Sequence, residues 1–281
     1  MARFSIGIVN FEKNLHTHCF EEVARGFADA LRVLGHDVVP PYDAKPGRLV
    51  IFGGNNLKTD DRFPPDAIVY NAEQVAALRN ATWLMQNVKQ FTKHVIIDYS
   101  WLNVGALREL GVEKPVFCPV GFMPSMVSEH MVEPIAEDID VLFVGSVNPR
   151  RRVILEAIAA SGLRLVPLFG VYGADRDRII ARAKVVLNLH FYERPIFEIF
   201  RVSHLLANRK AVVSEDGGFD PELETFAERA TCYVGRDRIV DACRELVGND
   251  QARRDLAERG AAVFRTIDFV ENVRRALAEA V

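Results

Sequence analysis

The sequence lacks the glycine-rich motifs of the common nucleotide-binding proteins. No G-x-G-x-x-G follows the first strand-like run, "FSIGIVN", and no G-x-x-x-x-G-K-[ST] occurs anywhere in the chain. These motifs bring backbone amides close to a phosphate, so hydride transfer on a dinucleotide and P-loop phosphoryl transfer both lose support. The G-x-S-x-G turn is also absent, which disfavours an α/β-hydrolase.

Cysteine is scarce as well. The four cysteines are scattered and form no C-x-x-C pair; they are Cys19, Cys118, Cys232 and Cys243. This distribution argues against a structural zinc site and against a disulfide framework. We expect reduced thiols that pack in the protein interior.

A surplus of positive charge and a long apolar run are also missing. The formal net charge is −3, so no global positive field attracts nucleic acid or anionic lipid. No segment reaches the roughly 18 apolar residues that a membrane span needs, and the N-terminus does not resemble a signal peptide. The sequence therefore predicts a cytoplasmic protein with no nucleic-acid partner and no transmembrane segment.

Short apolar runs that alternate with helical periodicity dominate what is present. In the first half these runs are "FSIGIVN", "DVVP", "RLVIFGG", "AIVYN", "HVIIDYS" and "VFCPV"; in the second they are "VLFVGS", "LRLVPLFG", "KVVLNLHF", "KAVVSED" and "ATCYVG". Strands that alternate with helices indicate a mostly parallel sheet with both faces covered. The fold class that we predict is α/β.

The polar connection "SEHMVEPIAEDID" separates the two sets of runs. Two successive α/β units joined in this way indicate two Rossmann-like domains, which we place at residues 1–134 and 135–265. The remaining segment, 266–281, reads as a final helix with Asp268 as a candidate N-cap.

One candidate anion site lies in "VGSVNPRRR". Gly145 and Ser146 end a strand there, and Arg150, Arg151 and Arg152 begin a helix. Arginines oppose the helix dipole at an N-terminus, and a bound diphosphate would remove that conflict. Solvated charges on the helix face are the equally weighted alternative.

The stretch "NLHFYERPIFEIFRVSHLLANRKAVVSED" supplies a second candidate. His190 ends a strand, Glu193 lies in the following loop, and Glu198 and Arg201 share one face in the first turns of a helix. A carboxylate there can accept hydrogen bonds from a vicinal diol, and an arginine can fork onto phosphate. An ordinary ion pair on a solvated helix and a buried structural histidine are the alternatives.

The first half offers His16 and His18 in "NLHTHCF", in the first strand-to-helix turn. Such histidines can act as a general base or bind an acceptor, or they can be loop residues without a chemical role. The strand ends "IVYNAEQ" and "IIDYSWLN" cluster polar groups that suit a polyhydroxylated ligand, although Ser100 could equally be a helix cap.

Taken together, "YNAEQ", "IDYSWLN", "PVGFMPSM", "VLFVGSVNPRRRVIL" and the long stretch above resemble bacterial group-1-like glycosyltransferases of the GT-B fold, over most of Ala67 to Asp216. The resemblance implies two Rossmann-like domains that face each other across a cleft. It also implies that the C-terminal domain binds a nucleotide-sugar donor, that the N-terminal domain binds the acceptor, and that the final helix crosses back to the first domain.

The resemblance further implies roles for individual residues. Gly145, Ser146 and Arg151, with Arg150 beside them, would line the diphosphate, and Glu198, supported by Arg201, would bind ribose or sugar hydroxyls. Glu193 and Glu198 are five residues apart, closer than in the family, so which of them contacts the donor stays open. An inverting reaction would draw its base from His16, His18 or Glu73, and a retaining reaction could dispense with one.

The expected mechanism needs no metal, because arginines and a helix N-terminus stabilise the charge of the departing diphosphate. Neither D-x-D triplet closes a strand, since "DID" (138–140) enters one and "DRD" (175–177) opens a helix. We therefore expect no cofactor, with the nucleotide-diphosphate sugar as donor substrate. The acceptor would be a glycan, lipid-linked glycan, protein or small molecule, in surface polysaccharide or glycoconjugate synthesis. A catalytically silent sugar-nucleotide-binding partner subunit and a sugar-nucleotide epimerase are the alternatives.

Overall fold

A computed structural model describes residues 1–9, 15–54, 63–78, 81–132, 135–193 and 195–280, with only the backbone of residues 15 and 16. Its strands are β1 (Arg3–Ile8), β2 (Asp37–Val39), β3 (Arg48–Phe52), β4 (Ile68–Asn71), β5 (Val95–Asp98), β6 (Lys114–Phe117), β7 (Ile139–Val144), β8 (Leu165–Leu168), β9 (Ala183–Asn188), β10 (Ala211–Glu215) and β11 (Cys232–Val234). Each of the strand-like runs that the sequence offers is a strand in the structure.

The helices are α1 (Glu21–Val33), α2 (Thr82–Lys89), α3 (Trp101–Glu109), α4 (Pro149–Ala160), α5 (Gly173–Ala181), α6 (Ile199–Ala207), α7 (Pro221–Ala230), α8 (Ile239–Gly248), α9 (Asp250–Arg265) and α10 (Phe269–Glu279). Two predicted caps are confirmed. Ser100 accepts a hydrogen bond from the Asn103 amide at the start of α3, and Asp268 accepts one from the Glu271 amide at the start of α10. Among the described residues, no helix combines the length and apolarity needed to cross a bilayer.

The strands form two parallel sheets. The first has the order β2-β1-β3-β4-β5-β6 and the second the order β11-β10-β9-β7-β8. Central strands such as β4 and β5 are buried along their whole length, because helices cover both faces of the sheet. The predicted α/β class with two Rossmann-like domains is confirmed.

The chain divides into two compact units. The first comprises Met1–Ser125 together with Asp268–Val281, and the second comprises Met126–Ile267. Helix α10 thus belongs to the first unit, where Phe269 packs against Phe27 of α1 at 6.1 Å between ring centroids. The boundaries that we placed after residues 134 and 265 lie nine and two residues from these divisions, and the domain limits stay predictions.

Each sheet contains one point where the strand order reverses. In the second unit, β7 is followed in sequence by β8 on one side and by β9 on the other. In open α/β sheets, the carboxyl ends of two such strands leave a crevice in which ligands bind. The corresponding reversal in the first unit lies between β1 and β3.

Candidate functional site

A cluster of charged and polar side chains occupies the carboxyl edge of the second sheet, at the reversal between β7 and β9. We call it the edge cluster; its members are Arg150, Arg151, Asn188, His190, Glu198, Arg201 and Glu215. The end of β9 and the loop after it, the end of β10, the first turn of α4 and the start of α6 contribute these residues.

The turn between β7 and α4 places the two arginines. Gly145 has a φ of +150°, a conformation that other residues adopt only with strain, and Pro149 occupies the first turn of α4. Asn148 caps this helix by accepting a hydrogen bond from the Arg151 amide at 2.9 Å. Its side-chain amide also donates to the Phe191 carbonyl, which ties the turn to the loop after β9.

Arg150 is held by Glu215, the last residue of β10. The guanidinium donates to both carboxylate oxygens, at 2.7 and 2.5 Å, and also to the His190 carbonyl at 3.1 Å. The hydrogen bond to Glu215 raises the pKa of Arg150 above its ordinary value. This bidentate pair connects α4 with β10, and it neutralises the charge of Arg150.

Arg151 is almost completely enclosed, with an exposed fraction of 1%. Its guanidinium donates to the Leu189 carbonyl at 2.6 and 3.1 Å and to the Ser146 carbonyl at 2.9 Å, and it lies 5.1 to 5.3 Å from the rings of Phe191 and Phe143. Burial, aided by the nearby charge of Arg201, lowers its pKa to about 9. Three of its five N–H donors serve backbone carbonyls, and its burial limits what else can reach the guanidinium.

Glu198 and His190 form an ion pair at the N-terminus of α6. The Glu198 Oε2 lies 2.9 Å from Nδ1 of His190, whose side chain is fully buried, while 11% of the Glu198 side chain is exposed. Burial by itself would raise the pKa of Glu198, but His190, Arg201 and Arg151 outweigh it and hold the pKa at about 2. Burial likewise opposes the charge on His190, yet Glu198 keeps its pKa raised.

Asn188 connects this pair to Arg201. Its amide nitrogen donates to Glu198 Oε2 at 3.2 Å and to the Ser214 hydroxyl at 3.0 Å, and its oxygen accepts from Arg201 at 3.2 Å. Glu198 and Arg201 thus share one face of the helix start, as the sequence predicts. They are linked through Asn188 rather than through a bond of their own.

Two buried polar atoms of the edge cluster have no hydrogen-bond partner among the described residues. These are Nε2 of His190 and Oε1 of Glu198, which lies 3.7 Å from an Arg151 nitrogen. Buried polar atoms are rarely left without a partner, because no new hydrogen bond then offsets the free-energy cost of removing the atom from water. These two atoms are positions in the edge cluster at which a bound ligand would supply a missing hydrogen-bond partner.

Other predicted residues of the second unit lie around this cluster. The Ser146 carbonyl accepts a hydrogen bond from Arg151, and a Cβ added at Gly145 would lie 3.6 Å from a guanidinium nitrogen of Arg151 and 3.6 Å from one of Arg201. Glu193 is exposed, so the geometry favours Glu198 over Glu193 as the carboxylate available to a ligand inside the edge cluster.

The predicted residues of the first unit show a different arrangement. The side chain of His16 lies outside the described part of the chain. His18 lies 2.5 Å from Glu21, and the Glu73 carboxylate accepts a hydrogen bond from the Gln74 amide. The Glu73 carbonyl also accepts from Asn71 and Asn103, so the polar strand ends of β4 and β5 hold one another in place.

The two D-x-D triplets are engaged in ion pairs. Arg182 holds Asp138, whose pKa its hydrogen bond lowers to about 2, and Lys184 contacts Asp140 at 2.8 Å. Asp177 is buried against His204. Within the described ranges, no three histidine, cysteine, aspartate or glutamate side chains converge as a metal site, and metal independence stays a prediction.

Sequence reasoning did not select Asn188 or Glu215. Asn188 and Glu215 are the last residues of largely apolar strands, and a polar or charged residue at the carboxyl end of such a strand is the signal that could have identified them.

Comparisons with known proteins extend these observations. No family model matches the sequence, so the group-1 assignment stays a prediction. Over 187 residues the chain is 26% identical to uncharacterised protein L140 of Acanthamoeba polyphaga mimivirus, covering 65% of this chain and 59% of the relative. Over 200 residues it is 26% identical to protein L137 of the same virus, covering 68% of this chain and 26% of the relative. The chain thus spans less than two thirds of either relative.

Solved structures match along nearly the whole chain. Anabaena HepE in complex with UDP-glucose has a TM-score of 0.63 at 12% identity, with 99% of each chain covered. A mutant of T4 phage BGT in complex with UDP-glucose has a TM-score of 0.61 at 13% identity, covering 99% and 97%. WaaG, a glycosyltransferase of lipopolysaccharide biosynthesis, has a TM-score of 0.57 at 11% identity, with 98% of each chain covered. At such identities the likeness establishes the fold, and the chain has the GT-B fold.

Proposed function

We propose that the protein is a glycosyltransferase that binds a nucleotide-diphosphate sugar at the edge cluster and transfers the sugar to an acceptor. The observation that carries this proposal is the pair of unpartnered buried atoms, on His190 and Glu198, at the strand reversal of the second sheet. The fold supports it, because the solved structures that share it include glycosyltransferases and complexes with UDP-glucose.

The proposed chemistry follows from the charges of the site. Breaking the bond between the sugar and the diphosphate leaves negative charge on the departing nucleotide. Arg201 and the N-terminus of α4 would stabilise this charge, and the ionised Glu198 would accept a hydrogen bond from a ribose or sugar hydroxyl. Under this proposal the reaction needs no metal, and the transferred group is a hexose or a related sugar.

The test is binding and turnover with a panel of UDP-, GDP-, dTDP- and CMP-linked sugars. A ligand at about 100 times its dissociation constant stabilises the folded state by nearly 3 kcal/mol, which thermal unfolding detects. We expect one nucleotide class to shift the unfolding midpoint, and phosphorus NMR to show slow release of the nucleotide as the sugar is transferred to water or to an acceptor.

Two variants locate the site. Arg201→Gln should weaken binding roughly tenfold or more, since a hydrogen bond to a charged group is worth about 1.5–3 kcal/mol. The matched control is Arg152→Gln, because Arg152 is exposed and adjacent to the cluster in sequence. A panel with no binder overturns the proposal. Binding without turnover of any acceptor would favour the silent partner subunit, and interconversion of free nucleotide sugars would favour an epimerase.

A further inference from the structure

We propose that His190 is a specificity-determining residue that donates a hydrogen bond from Nε2 to a diphosphate oxygen of the donor, and that it does so only as an imidazolium. This inference rests on the proposed function, and it adds that Nε2 of His190 contacts a phosphate oxygen of the donor. Two observations support it. Nδ1 of His190 lies 2.9 Å from Glu198, and Nε2 is buried without a hydrogen-bond partner among the described residues.

The protonation pattern of the ring follows from its partner. The pKa of Glu198 is held at about 2, so above that pH the carboxylate can only accept hydrogen bonds. Nδ1 must therefore carry a hydrogen at every pH at which the contact is kept. A second hydrogen on Nε2 is present only in the imidazolium, and a neutral ring presents a bare lone pair at Nε2.

A phosphate oxygen can accept a hydrogen bond from the imidazolium but not from Nε2 of the neutral ring. An ionised diphosphate ester has acceptor oxygens and no hydrogen to give. It is therefore attracted by the imidazolium Nε2–H, and the lone pair of the neutral ring repels it. A ligand hydroxyl would behave in the opposite way, because it can donate to the neutral ring.

The other cations of the edge cluster make an anion the better candidate. Arg150 is neutralised by Glu215, and three of the five donors of the buried Arg151 serve backbone carbonyls, so these two residues shape the site. Arg201 gives a hydrogen bond to Asn188 and keeps further donors available. With an imidazolium at position 190, four cationic side chains face the two carboxylates of the edge cluster.

The charged groups around the ring come from four elements. They are Arg150 on α4, Glu198 at the start of α6, Glu215 on β10 and Glu224 on α7. Glu224 binds the Tyr233 hydroxyl through Oε2, and its Oε1 also lacks a partner. Since Nε2 and this oxygen are both unpartnered, they are not bonded to each other, and Glu224 does not satisfy Nε2.

The consequence is a pH dependence of donor affinity. Glu198 raises the pKa of His190 above its ordinary value, so the imidazolium persists at higher pH than in a free histidine. As pH rises past that pKa, affinity should fall, approaching about tenfold per pH unit for a ligand that binds only the protonated ring. The diphosphate diester and the base of a nucleotide sugar have no group that titrates between pH 6 and 8, so the dependence in this range belongs to the protein.

The experiment is calorimetric titration of the full chain with UDP-glucose, or with the panel nucleotide sugar that binds, from pH 6 to 8, below the pKa of about 9 of Arg151. We expect affinity to fall with pH in the wild type. The affinity should become nearly independent of pH in His190→Gln, because the glutamine amide is a hydrogen-bond donor at every pH. The His130→Gln control should keep the wild-type decrease of affinity with pH. Glu224→Gln should also keep the wild-type decrease of affinity with pH, because Glu224 is not the partner of Nε2.

A second measurement does not depend on binding. Long-range proton–nitrogen NMR of the imidazole rings should show neutral His190 as the Nδ1–H tautomer, and Glu198→Gln should lower its pKa. A flat or rising affinity profile, loss of the slope in Glu224→Gln, or a neutral ring protonated at Nε2 overturns the inference and leaves the glycosyltransferase proposal standing. Absence of any nucleotide-sugar binding overturns both.

Discussion

Arg151 illustrates how a charged side chain can serve as part of a scaffold. Its hydrogen bonds go to two backbone carbonyls, those of Ser146 and Leu189, which lie just after the ends of β7 and β9. It thereby holds together the two loops that border the strand reversal. The planar guanidinium is suited to this role because its donors point in several fixed directions at once.

We predict that Arg151→Lys lowers the free energy of unfolding by about 2–4 kcal/mol. Lysine keeps the charge, but its ammonium cannot reach both carbonyls from inside the site, and it loses the stacking on Phe143 and Phe191. Urea unfolding followed by circular dichroism measures the change. Arg152→Lys, on the exposed face, should stay within about 0.5 kcal/mol. An Arg151→Lys midpoint equal to that of this control would contradict the scaffold role.

The sequence was informative about single residues only to a limited extent. The spacing of Glu198 and Arg201 places them on one helix face, as the structure confirms. The contact through Asn188 depends on the register of β9 beside β10, which pairs Asn188 with Ser214. Register between strands distant in sequence leaves no local signal, so Asn188 and Glu215 could not be chosen by spacing alone.

At the scale of elements, two helical glycines differ in what surrounds them. A Cβ added at Gly105 of α3 would meet nothing within 4 Å. One added at Gly260 of α9 would lie 2.5 Å from the Ala230 carbonyl oxygen and 2.8 Å from a methyl carbon of Leu206. Gly105 thus carries only the intrinsic cost of glycine in a helix, whereas Gly260 permits α9 to approach α7 closely.

We predict opposite effects for the two alanine substitutions. Gly105→Ala should stabilise the protein by up to about 1 kcal/mol, because alanine is the better helix former. Gly260→Ala should destabilise it by about 1–3 kcal/mol, because the backbone of α7 must move to admit the methyl group. Urea midpoints of the two variants give the comparison, and changes of the same sign would refute the difference in packing.

The elements themselves were largely predictable. Strands in a buried parallel sheet are short apolar runs between polar loops, and that pattern is visible in every strand of this chain. The turn after α6 was harder to predict from the sequence, because Arg209 adopts a φ of +51° at a position where glycine is usual. A side chain in that conformation is tolerated when the surrounding contacts fix it, and sequence alone does not reveal those contacts.

At the scale of the whole molecule, the first unit is built from two separate stretches of chain. Phe269 of α10 is fully buried and lies against Phe27 and Gly26 of α1. The second unit needs only one continuous stretch. The division into two α/β halves was visible in the sequence, but nothing in the composition of the last helix says which half it packs against.

We predict that Phe269→Ala destabilises the first unit by about 3–5 kcal/mol, the usual cost of truncating a buried phenylalanine. Trp83 and Trp101 are the two tryptophans of the chain, and both belong to this unit, so tryptophan fluorescence reports its unfolding. The fluorescence transition should move to lower urea. Val33→Ala, at an exposed position of α1, should leave it in place. An unchanged transition in Phe269→Ala would show that α10 adds little to this core.

The placement of α10 also orders events during protein synthesis. The ribosome makes residues 126–267 as one block, so the second unit can fold as soon as this block has left the exit tunnel. The first unit begins earlier, yet the apolar surface of α1 that receives Phe269 stays uncovered until α10 is made. The half of the molecule that is synthesised first is therefore completed last, and during that interval its exposed surface is open to chaperones.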